Sequence, residues 1–429
     1  MITIPRESPV AGALHFLQDG YGFIQKRTRR LGSDLFLIQT PVQDVVCISG
    51  EEAARIFYDT DKFERTGAIP KRVQTTLMGV DAIQTLDGVP HHDRKAMFMS
   101  LMTAERIQAL MNRLADEWNR AISRWASASR VTLFTESQKM LCRAACAWAG
   151  IPLAEAEVER RAADFADMID AFGGVGPRHW QGKAARSRTE AWLTERVRQV
   201  RSGELTAPTD SALSVFATHR GPDGQRLDAQ MAAIEVINVV RPIVAISWYV
   251  TFAALALHDH PARRAQLQGA DADVLERFVH EVRRFYPFAP FLGNHVRQPF
   301  VWRGFSFAPG MLVLLDVYGT NRDPRLWELP HLFWPERFPF AGAASRFGDP
   351  LAAVGRMAQA PGEGRSRRLG CRGRCGAGAR GPPRERLGQR RLFGCGADGG
   401  RQRGRERAGA KRAGVRRGAL SARPAVRPG

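Results

Sequence analysis

The chain has 429 residues and a formal net charge of +20, from 63 Lys and Arg against 43 Asp and Glu. The excess is local: residues 341–429 hold 22 basic and five acidic groups, or +17 of the total. A balance this basic would ordinarily point to nucleic acid or an anionic membrane, but the body is near-neutral and the basic segment has no Tyr or Trp to stack on bases, which argues against a specific nucleic-acid role. Residues 1–20 show no basic start followed by a continuous apolar stretch, so neither a signal peptide nor a membrane anchor is expected, and the expected location is cytoplasmic.

Taken in chain order, the apolar spacing predicts a helix over residues 11–31 and then two short strands, 34–39 and 44–49, joined by a turn at Thr40-Pro41. A helix starts at Glu51, and another opens after Asp87-Gly88-Val89-Pro90. From Ala104 the pattern is almost wholly helical, with segments at 107–128, 132–149, 154–171, 183–201, 228–257 and 273–286. β character returns at 301–302 and 311–316, followed by an irregular stretch rich in Pro, Arg and Asp. The expected fold class is mainly α with a small β part, in a body of residues 1–340. Residues 341–429 are Arg-, Gly- and Ala-rich and are expected to be disordered or the product of a shifted reading frame.

The segment 228–257 is long and apolar, but Glu235, Asn238, Arg241 and Pro242 interrupt it, which fits a buried central helix better than a bilayer span of about 20 apolar residues. Within it Arg241 stands among Val239, Val240, Ile243 and Val244, where an unpaired charge costs several kcal/mol. An anionic partner is therefore expected. A protein carboxylate such as Glu235, or a route to the surface, is the alternative. Pro242 removes a backbone donor and is expected to kink or open the helix locally. Cys47, Cys142 and Cys146 have no metal or disulfide spacing and read as buried thiols. Taken alone, Glu281 and Arg284 at i, i+3 read as an ordinary helix salt bridge.

Glu281-x-x-Arg284, Asn321-Arg322-Asp323-Pro324 and Pro335-Glu336-Arg337-Phe338 together resemble the signature of the cytochrome P-450 superfamily. Phe63-Glu64-Arg65-Thr66, Gly79-Val80-Asp81-Ala82-Ile83-Gln84, Arg94-Lys95, the segment from Phe172 to Trp180 and Arg241-Pro242 resemble, more narrowly, the bacterial fatty-acid peroxygenases. The resemblance runs over residues 5–338. It implies the P-450 fold, haem b as cofactor, and hydroxylation of long-chain fatty acids at the α or β carbon by hydrogen peroxide, with no redox partner. It implies that Arg241 and Pro242 replace the acid–alcohol pair of ordinary monooxygenases and that Arg241 holds the fatty-acid carboxylate, which then serves as the general acid/base. Gln84, Ile169, Phe172 and Phe288 match pocket-lining positions. His91, Arg94 and Lys95 fall where the family contacts the haem propionates, although Asp93 stands where a second basic residue is common. Glu281, Arg284 and Arg337 match the brace of the haem-binding core.

The resemblance stops before the haem ligand. The Gly-rich Cys loop is not recognisable; Cys371-Arg372-Gly373 has only its ending, which leaves Cys371 a weak candidate for the axial thiolate. Three readings compete: a peroxygenase, in which this chain is haem-deficient and inactive; a haem-less fatty-acid-binding remnant; and a conventional monooxygenase dependent on a redox partner, which Arg241-Pro242 disfavours.

Overall fold

The computed structural model describes residues 4–7, 18–39, 43–172, 174, 176–221 and 224–338. The expectations for residues 341–429, Cys371 among them, lie outside the described residues, as does the Thr40-Pro41 turn.

A mixed sheet forms where sequence-distant strands meet. Its strands are β1 (Arg6–Glu7), β2 (Leu35–Ile38), β3 (Val45–Ile48), β4 (Phe63–Glu64), β5 (Phe291–Val296) and β8 (Leu312–Asp316), in the spatial order β1-β2-β3-β8-β5-β4. β2 and β3 pair antiparallel, and β3 continues in parallel to β8. A separate hairpin joins β6 (Phe300–Trp302) to β7 (Phe305–Phe307). The unbroken apolar runs of β2 and β3 are explained by burial on both faces. Leu35, Leu37, Val46 and Ile48 pack with Phe57, Trp302 and Phe307. Phe36, Ile38, Val45 and Cys47 turn the other way, onto Phe23 and Ile24. Those two residues open helix α1 (Phe23–Leu31), and Phe57 ends helix α2 (Glu51–Phe57).

The helices follow as α3 (Gly88–Ser100), α4 (Ala104–Trp125), α5 (Leu133–Trp148), α6 (Val158–Asp170), α7 (Pro177–Ser202), α8 (Ala212–Thr218), α9 (Ala229–Asp259), α10 (Pro261–Leu267), α11 (Ala272–Phe285) and the single turn α12 (Val317–Thr320). The largest apolar cluster gathers Met97, Leu141, Phe165, Leu193, Phe216, Val236 and Val240 around α9. Among the described residues α9 is the one helix long and apolar enough to cross a membrane; here it packs against α5, α7 and α8, with Ala232 to Arg241 buried. The helix runs unbroken through Pro242, so the expected opening does not interrupt it.

Two differences from the sequence reading have physical reasons. β5 was not foreseen because Gly293-Asn294-His295 carries no strand-like alternation; the segment is extended because β4 and β8 flank it. α7 starts at Pro177, six residues earlier than its apolar spacing suggests, since Pro preorganises the first helical position after Gly176.

At Gly182 of α7 an added Cβ would sit 2.3 Å from the Ala171 Cβ and 2.9 Å from the Asp167 carbonyl oxygen. Gly182→Ala would gain about 1 kcal/mol of helix propensity, but the backbone at Asp167 cannot yield as a flexible side chain would. A net loss of about 1–2 kcal/mol is expected, read as a lower melting temperature. An unchanged or higher melting temperature would show that α6 and α7 are not locked at this contact.

Candidate active site

Arg241 is buried on α9 among aliphatic residues. Its Nη2 donates only a long 3.5 Å bond to Asn238 Oδ1, and its Nε has no partner. Glu235, the carboxylate weighed above as its neutraliser, is committed elsewhere. Glu235 Oε1 accepts from Arg94 Nη1 and from the Ile83 amide at 3.0 Å, and Oε2 accepts from Asn238 Nδ2 at 3.0 Å. Among the described residues Arg241 therefore has no carboxylate partner. Burial, with the charge of Arg186 added, pulls its guanidinium down to about 9. A buried cation held this way is preorganised for an external anion.

The turn carrying Gln84 (Ile83–Thr85) is fixed to α9 by the Ile83–Glu235 bond, close to Arg241. Gln84 Oε1 is buried and has no partner. Ile169 is buried near the end of α6, which packs on α9, and Phe172 follows it, 38% exposed. Phe288 sits against Trp248, ring centroids 6.1 Å apart, and Trp248 lies two turns beyond Arg241 on the same face of α9. Tyr21 fastens the Phe288 segment by donating to its carbonyl oxygen at 2.7 Å.

The three α3 residues singled out in the sequence, His91, Arg94 and Lys95, separate. Arg94 turns to Glu235, whereas His91 and Lys95 join Arg65, whose Nη1 lies 2.7 Å from His91 Nε2. Burial, Arg65, Lys95 and His92 together push the His91 imidazole down to about 4. Burial and Arg65 lower the Lys95 ammonium as well. Arg65, carried by the Phe-Glu-Arg-Thr motif, joins this cluster only in the fold. Its place is set by Asp87 Oδ2, which accepts from the Arg65 and Thr66 amides and the Thr66 hydroxyl at 3.0, 2.8 and 2.7 Å.

Below α9 the pair Glu281–Arg284 is fully buried rather than a surface bridge. Arg284 donates to both Glu281 oxygens at 2.7 Å and to the carbonyls of Asn321, Pro330 and Leu332 at 2.7, 3.0 and 3.2 Å. Arg337 adds an ion pair to Glu281 at 3.3 Å.

The cytochrome P450 family model matches residues 267–346. The solved structure of cytochrome P450EX alpha (CYP152N1) with myristic acid is 41% identical, with a TM-score of 0.75, covering 79% of this chain and 81% of that one. The chain belongs to the CYP152 family of the cytochromes P450. A variant of the P450 OleT, solved with arachidonic acid, is 34% identical with a TM-score of 0.77, covering 81% of this chain and 83% of that one. Among curated proteins, the provisionally named cytochrome P450 137 of Mycobacterium tuberculosis (strain CDC 1551 / Oshkosh) is 26% identical over 193 residues; the match spans 39% of each chain.

The cofactor that a CYP152 chain implies is haem. The Arg65, His91 and Lys95 cluster, basic and partly buried, fits a pair of propionates. Pro242 and Ile246 are exposed one turn apart on α9, just past its buried stretch Ala232 to Arg241, and fit the face of a flat apolar macrocycle. All three described cysteines are free and buried. The Cys47 thiol is pushed up by burial, and that of Cys146 by its hydrogen bond with Cys142 and by burial.

Proposed function

We propose that this CYP152 chain has the active site of a haem-thiolate fatty-acid peroxygenase that hydroxylates long-chain fatty acids at the α or β carbon with hydrogen peroxide. The observation that carries the reading is the buried Arg241 guanidinium without a carboxylate partner among the described residues. A fatty-acid carboxylate supplies the missing charge, with two oxygens for the guanidinium fork. Haem, held at its propionates by Arg65, His91 and Lys95, would supply the oxidising chemistry of peroxide when bound.

Arg241 fixes the carboxyl end, so the carbons next to it are nearest the oxidant by orientation alone. The same carboxylate stands in for the absent acid–alcohol pair, taking a proton from one oxygen of hydrogen peroxide and returning it to the other as the O–O bond breaks; that oxygen leaves as water, and the first ends as the hydroxyl of the product. Gln84, Ile169, Phe172 and Phe288 would line the path of the acyl chain. The long fatty acids bound by the P450EX alpha and OleT structures support this substrate class.

The test uses the ferrous carbon monoxide difference spectrum and turnover of myristic acid, with peroxide in one arm and a reductase system in the other. For the chain as it stands, with Cys371 outside a recognisable ligand loop, the expected result is myristic acid binding without a full thiolate-type Soret band. A chain carrying the family's Cys loop should turn over with peroxide alone. Turnover that required the reductase would replace this reading with a conventional monooxygenase. A full thiolate band lost in Cys371→Ala would make Cys371 the ligand.

A further inference from the structure

We propose that Arg186 is a second cation of the carboxylate site, positioning the substrate head group together with Arg241; this rests on the reading of Arg241 as the carboxylate anchor. Arg186 projects from the middle of α7 and is 2% exposed. Its Nε donates to Glu190 and its Nη1 to the Leu77 carbonyl at 2.8 Å, while its Nη2 is buried with no hydrogen-bond partner. An unpaired buried N–H costs about 1–3 kcal/mol.

The position of that nitrogen is fixed by a glycine. Gly79 has φ +93°, and a Cβ there would stand 2.7 Å from Arg186 Nη2 and 2.5 Å from Ile234 Cγ2. No side chain at residue 79 can therefore cover the guanidinium, and the nitrogen and Ile234 of α9 both crowd the same point beside Gly79. Ile234 lies two turns before Arg241 on the same helical face, about 10 Å along the axis. A helical side chain leans toward the N-terminus, so Arg241 extends back toward Ile234. Arg186 is close enough that its charge lowers the Arg241 guanidinium.

Each arginine keeps one buried nitrogen unbonded, Arg241 Nε and Arg186 Nη2. The acids nearby do not complete them. Glu235 is occupied by Arg94, Ile83 and Asn238, and Glu190 is shared between Arg186 and Gln230. A carboxylate carried on an apolar chain has the charge and the two oxygens to relieve both guanidiniums at once. Arg186 would also tie head-group binding to the turn it holds at Leu77, in the segment (Gln74–Met78) immediately before Gly79.

The experiment compares binding of cis-parinaric acid, a fluorescent fatty acid, with binding of its methyl ester to the full chain and its variants. The ratio of the two affinities isolates head-group recognition from burial of the acyl chain. Arg186→Met should reduce the preference for the acid about tenfold and leave ester affinity unchanged. An unchanged preference would show that Arg186 only clamps Leu77, and would overturn the proposal while the Arg241 reading stood. An acid preference that survived Arg241→Leu would instead remove the anchor reading itself. If Arg186→Met binds neither probe, Glu190→Gln decides: releasing Arg186 from its carboxylate should raise the preference about threefold, and an unchanged or lower preference overturns the proposal.

Discussion

Arg284→Met will lower the stability of the chain by about 3–5 kcal/mol, the cost of removing one partner of a buried ion pair. All five guanidinium N–H donors of Arg284 are used, on two carboxylate oxygens and three carbonyls. Removing them strands the Glu281 carboxylate at zero exposure, with Arg337 and the Trp334 amide as its remaining donors. It also leaves the carbonyls of Asn321, Pro330 and Leu332 without that donor, so the segment between α12 and Arg337 loses its attachment to α11. Adding Glu281→Leu to the variant should recover only the carboxylate's share of the loss, because the carbonyls stay unsatisfied. Urea unfolding of the two variants measures both quantities. A single-variant loss below about 1 kcal/mol would mean that water reaches the pair and the surface-bridge estimate applies after all.

Arg241→Leu has the largest expected effect on ligand binding, a loss of acid affinity of about a hundredfold or more, as when one partner of a buried charge pair is truncated. The protein itself should be no less stable, and the variant is expected to be neutral or slightly stabilised. The wild-type cation pays its desolvation without a carboxylate partner and beside a second arginine. Opposite signs for binding and stability separate an anchor from a structural residue. The measurement pairs fatty-acid titration with thermal melting; a variant that lost binding and stability together would place Arg241 in the scaffold.

The two sites differ in what the sequence could reveal. Arg241 was legible because a lone charge among Val and Ile contradicts its surroundings, and the helices were legible because their apolar spacing is regular. Glu281 and Arg284 looked like any i, i+3 pair, since their burial is imposed by carbonyls about 40 to 50 residues downstream. Arg186 gave no signal at all. It stands in an Arg-rich helix whose polar residues do not keep to one face, and it is buried only because a turn 109 residues earlier folds over it. Arg65 and Lys95 were visible as residues, but their mutual repulsion depends on Asp87 pinning one segment against the start of α3. Arg94, which the resemblance groups with His91 and Lys95, donates in the fold to Glu235 of α9, a partner 141 residues away that no local pattern announces.

The central sheet also sets a timetable for synthesis. β3 finds its parallel partner only in β8, 267 residues later in the chain. At translation rates of about 5–20 residues per second, Val45 to Ile48 wait about 15–50 s on the ribosome before Leu312 to Leu315 exist. During that interval the β2–β3 ribbon presents one unpaired, wholly apolar edge, the kind of surface that recruits other strands. The helices around α9 can form from local contacts meanwhile, so the nascent chain holds a nearly complete helical half beside an unfinished sheet. Yield of folded protein is then governed less by final stability than by how long that edge stays uncovered.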